Sequence, residues 1–151
     1  FQDPATAGAA PAAISNALTL VVNTYYKGLA GAAAVVVPAA ASSNIGDFIN
    51  VFYDARITDT VVHTYTTVDD NFALGSTARR IGGGVASVSD MSVADDDVLT
   101  ITGDDDGDGG PGTTVRLLNT TGEANGWAVE AITLNNGDGS EAGTIAFSDA
   151  G

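Results

Sequence analysis

The chain has 151 residues and a mass of 15.0 kDa, which suits one domain. Nineteen acids against five bases give a net charge of −14 and a pI near 4.1, a field that repels nucleic-acid phosphates and anionic membranes. With no Cys, one His and one Lys, thiolate chemistry, His-rich metal sites and most nucleophile–base pairs lack raw material, so the composition points to a building block and not to an enzyme.

Residues 1–13 are a low-complexity Ala/Pro run in which Pro4 and Pro11 oppose a regular helix. The expectation is an extended arm lying along a neighbouring subunit, followed by a single β domain over 14–151. Leu18–Tyr26 is rich in β-branched and aromatic residues, and Leu18, Leu20 and Val22 share a face, so one strand is predicted there. Ala33–Val37 is a short apolar run stopped by Pro38. Ile45–Tyr53 alternates, with Phe48 and Phe52 on one side and Ile49, Val51 and Tyr53 on the other. Apolar residues on both faces predict a central strand or one at a subunit interface.

Thr58–Val68 is a further β run. Phe72–Ile81 reads as a short helix or a loop crossing the sheet, and Gly82-Gly83-Gly84 as a hinge. Val85–Val88, Val98–Thr102, Thr113–Asn119, Trp127–Leu134 and Thr144–Ser148 complete the strands, with Asn125-Gly126 supplying the positive φ that tight hairpins demand. Eight or nine short strands separated by Gly/Asp/Asn turns predict an all-β fold, an antiparallel β-sandwich or jelly-roll-like barrel with an extended N-terminal arm.

The sharpest chemical motif is Gly103–Gly112. Asp104, Asp106, Asp108 and Gly109 match the opening of a calcium loop, in which alternating carboxylates converge on a hard cation. The twelfth position is Val115, where a bidentate Glu belongs, so this is no EF-hand. A solvated acidic loop and a Ca²⁺ site supported by Asp95, Asp96 or Asp97 both remain open, and no other cofactor is expected.

His63 lies mid-strand and reads as a hydrogen-bonded structural residue. Glu123, Glu130 and Glu141 have no aromatic sugar platform beside them, and no G-x-S-x-G elbow exists. Arg79 and Arg80, the only adjacent bases, suit a rim that pairs with acids of a neighbouring subunit or of the same chain. Asn119-Thr-Thr121 has the form of an N-glycosylation acceptor. The aromatic residues, Trp127 among them, read as core packing.

Val21-Val-Asn-Thr-Tyr-Tyr-Lys-Gly28 with Val35-Val-Val-Pro38, and Gly107-Asp-Gly-Gly-Pro-Gly-Thr-Thr-Val115 through Asn125-Gly-Trp-Ala-Val129, resemble small β-rich capsid decoration (cement) proteins of aquatic tailed bacteriophages. The resemblance implies a place on the virion surface, binding to a major capsid protein, association with further copies in an oligomer or lattice, and no catalytic residue. The alternative is a secreted pilus-like filament subunit in which Ile14–Tyr26 completes a neighbour's sheet. A carbohydrate-binding module ranks below both.

Overall fold

The computed structural model describes residues 11–82, 89–103, 109–135 and 145–151. Among these residues twelve strands form two mixed sheets packed as a sandwich. They are β1 (Ala12–Ala13), β2 (Leu18–Thr19), β3 (Thr24–Lys27), β4 (Ala33–Val37), β5 (Phe48–Phe52), β6 (Val62–Thr67), β7 (Thr77–Gly82), β8 (Ser89–Met91), β9 (Val98–Thr102), β10 (Thr114–Asn119), β11 (Trp127–Asn135) and β12 (Ile145–Ser148). Sheet A has the order β1-β3-β5-β10-β11-β7-β8 and sheet B the order β12-β9-β6-β4-β2. The only helical turn among the described residues is a 3-10 turn at Ala40–Ser42.

The sheets are not antiparallel throughout, as the turn pattern predicts. The pairs β1–β3, β3–β5, β2–β4, β4–β6 and β7–β11 run parallel. For the first four of these pairs the reason lies in the path of the chain. From β1 to β7 each strand lies in the sheet opposite its predecessor. A strand that returns after crossing and recrossing the sandwich therefore points the same way as the one it joins. Parallel strands need a crossover of about a dozen residues, and here the crossover is itself a strand of the other sheet.

This threading also corrects the first predicted element. Leu18–Tyr26 is not one strand but two, β2 in sheet B and β3 in sheet A, parted at Asn23, whose φ of 57° is left-handed. The ambiguous stretch Phe72–Ile81 contributes β7, neither helix nor loop, and joins β11 in parallel over Thr77–Gly82. The predicted strand Val85–Val88 lies outside the described residues, as do Gly83 and Gly84.

The core fills the space between the sheets. Ile49, Val51, Val115, Leu117, Val129 and Ala131 face it from sheet A, and Val35, Val37, Tyr65, Leu99, Ile101 and Ile145 from sheet B. Trp127 is wholly buried and its Nε1 donates to the Pro38 carbonyl at 2.7 Å, so the indole plugs the core without an orphaned donor. On one flank the sheets meet: β12 touches β7 and β8, Phe72 packs edge-on against Phe147, and Asp90 on β8 accepts a bond from the Phe147 amide at 2.8 Å.

Candidate interaction surface

The outer face of sheet A follows from strand alternation. Residues beside the buried Ile49, Val51, Val115 and Leu117 must point away from the core. Register aligns them in rows across the sheet. One row runs Tyr25, Asn50, Arg116, Glu130, Thr77, Met91, and the next runs Lys27, Phe52, Thr114, Ile132, Arg79. A third sets Phe48, Leu118 and Ala128 side by side.

The character of this face differs from the rest of the surface. Tyr25, Phe52, Leu118 and Met91 are 62%, 53%, 47% and 59% exposed, and the Tyr25 and Phe48 rings meet at 5.3 Å. Three of the chain's five bases, Lys27, Arg79 and Arg116, stand on it. Among the described acids only Asp90 and Glu130 lie on strands at all, and Asp90 turns inward opposite the buried Ala78. Aromatic residues, Met and Arg with few acids is the composition of a protein–protein interface.

Arg116 rises between two shallow grooves of about 410 Å³ each. Tyr25, Asn50, Phe52 and Thr114 line one, and Phe48, Leu118, Ala128 and Glu130 line the other. Arg116 reaches Glu130 at only 3.9 Å with both side chains more than half exposed, whereas Lys27 pairs with Asp54 at 2.7 Å. At the corner of the face Asp47 accepts from the Asn44 amide and the Asn23 side chain, and these bonds hold its carboxyl below the usual carboxylate range.

The sequence-derived candidates fall in different places. Asp104, Asp106, Asp108, Glu141 and Pro4 lie outside the described residues. Pro11 is exposed and lines a small groove with Lys27, Phe52 and Asp54, so the described end of the arm adjoins the outer face of sheet A. Residues 12 and 13, the last of the expected arm, form the edge strand β1 beside β3 in the chain's own sheet A. The two adjacent arginines part company: Arg79 is on the outer face and Arg80 points inward at 5% exposure, which removes Arg80 from any rim.

Asn119 is buried, and its side-chain amide donates to the Ala40 carbonyl and the Ser43 hydroxyl at 2.8 Å each while its oxygen accepts from the Thr121 and Gly122 amides. The folded chain therefore offers no glycan acceptor there. Asp69, Asp70, Asp95, Asp97 and Asp149 line an acidic bowl of about 460 Å³. Three of these carboxylates accept backbone amides, from Ala40, Ala150 and Gly151. Among the described residues no group of acids or His is arranged to hold a metal ion.

His63 is enclosed between the sheets. Its Nε2 meets the Gly31 carbonyl at 2.6 Å and its Nδ1 meets the Tyr53 hydroxyl at 2.8 Å, which in turn lies 2.6 Å from the Tyr65 hydroxyl. A carbonyl only accepts, so Nε2 carries the proton and Nδ1 accepts from Tyr53, which accepts from Tyr65. Burial holds the His63 pKa down and pushes those of Tyr53 and Tyr65 up, keeping all three neutral. The trio is a structural rivet closed to solvent.

The outward aromatic residues are what sequence reading places wrongly: Tyr25 and Phe52 face solvent, not the core. The available signal was the two-sided apolar pattern of Ile45–Tyr53, now seen as a central strand between β3 and β10. Comparison with protein-family models, curated proteins and solved structures finds no match to this chain.

Proposed function

We propose that this chain is a structural subunit of a virion surface, a capsid decoration protein that works by adhesion through the outer face of sheet A. The observation that carries the reading is the distribution of residues: a chain of charge −14 gathers three of its five bases and its outward aromatic rings on one sheet face. Such a face has little reason to stay wet, and burying it on a neighbour would bond a shell without chemistry. The acidic loops then face solvent and keep free copies soluble.

One further observation favours decoration over the filament alternative. Ile14, Leu20 and Tyr26 belong to the chain's own core at 1%, 2% and 6% exposure. A segment already seated at home is a poor donor for a neighbour's sheet.

Electron microscopy of the native particle tests this. Copies tiling an icosahedral shell with the outer face of sheet A buried are expected. Copies stacked along a helical fibre, or a shell with that face bare, would end the proposal.

A further inference from the structure

We propose that the neighbour covering the outer face of sheet A is a second copy of this chain, related by a two-fold axis that sets Arg116 of each copy against Glu130 of the other. The inference rests on the adhesive reading above, takes the neighbour at that surface to be another copy, and leaves contact between the dimer and a capsid to the remaining surface.

Charge selects the geometry. Two chains of −14 repel in most orientations, whereas on this face Lys27, Arg79 and Arg116 balance Glu130 and the adjoining Asp54 and Asp47, so the repulsion is least here. In a two-fold contact, whatever residue i meets, its counterpart meets in return, so a face must complement itself. Arg116 and Glu130 are register partners on β10 and β11, near the middle of the seven-stranded sheet. A positive and a negative group side by side about a central axis satisfy that rule, since rotation lays each over the other's opposite.

Their pairing within one copy is loose. At 3.9 Å, with side chains 64% and 53% exposed, it contributes little in water. Desolvated between two copies, the same groups form crossed pairs with far less screening. Tyr25, Phe48, Phe52 and Leu118, which line the grooves beside Arg116, would exclude the water there. The grooves on either side of Arg116 give the partner's side chains somewhere to seat.

Size permits a weak dimer. Strands about 4.8 Å apart give a seven-stranded face on the order of 500 Å². Two such faces bury about 1,000 Å² together, the least that a biological interface needs and the size of a weak, reversible contact. The contact closes on itself, so it yields a dimer and not a fibre.

Sedimentation equilibrium of the purified chain over a concentration series tests the geometry. Wild type should form a dimer. Arg116→Glu and Glu130→Arg, each checked for native far-UV circular dichroism, should weaken it about tenfold or more, because each sets like charges together. An equimolar mixture of the two variants should recover a heterodimer, since the new carboxylate of one then faces the new guanidinium of the other. Leu118→Ser should weaken self-association without altering charge.

A monomeric wild type at every concentration, or a mixture no tighter than its parts, overturns the dimer. Either result leaves a capsid protein as the occupant of the face. Failure to find the chain on a shell would end the decoration reading and leave the dimer standing.

Discussion

At the scale of single residues, the Tyr65–Tyr53–His63 relay ties sheet B to the segment after β5 in sheet A. Tyr53 is its middle link: its hydroxyl donates to His63 and accepts from Tyr65. Tyr53→Phe removes that oxygen and leaves two buried polar groups short of a partner, so it should cost about 2 kcal/mol or more in urea denaturation. A near-neutral substitution would show that the relay carries no stability.

His63 gives a pH dependence whose sign is fixed. Its folded-state pKa lies below the unfolded value of about 6.5. The unfolded chain therefore takes up a proton first as pH falls. Stability from the neutral ring is present above that value and drains away as pH drops below it. Melting temperatures of wild type and His63→Gln, followed from pH 7.5 downwards, should converge on acidification below about 6.5. Parallel curves would show that His63 titrates alike in both states.

At the scale of elements, the strand positions were largely legible in the sequence. Ala33–Val37 and Val98–Thr102 match their predicted limits, and β10, β11 and β12 fall within a residue of theirs. These segments carry strong alternation and are bounded by Gly, Asp or Pro. Pairing direction was not legible, because a turn residue such as Asn23 serves a crossing between sheets as well as it serves a hairpin. Nor could alternation alone say which side of β5 meets the core. That choice is set by partner strands far away in sequence, and it decides whether Phe52 is buried or outward.

One small residue shows how tightly the elements meet. Gly28, just after β3, lies with its backbone on the Tyr53 ring, and any Cβ there would overlap the ring carbons. Tyr53 cannot retreat without breaking its bonds to His63 and Tyr65. Gly28→Ala should therefore destabilise by about 3 kcal/mol, at the upper end of overpacking costs, with a changed near-UV spectrum from the displaced tyrosine. Wild-type stability in that variant would show that the ring has room to shift.

At the scale of the whole molecule, acids crowd the loops at the ends of the sandwich, with Asp69 and Asp70 close to Asp95, Asp97 and Asp149. Like charges so placed oppose folding, and salt relieves them as the screening length shortens from about 30 Å at 0.01 M to about 8 Å at 0.15 M. The melting temperature should rise over that range of NaCl, read on samples dilute enough to stay monomeric. A flat or falling curve would mean that the loop charges exert no net strain. The threading of β1 to β7 between the two sheets bears on the protein's birth. Central strands β5 and β6 wait for β10 and β9, which the ribosome makes only later. A nascent chain must stay open until its last third emerges, then knit distant segments in one slow act, on the millisecond-to-second scale of non-local β proteins.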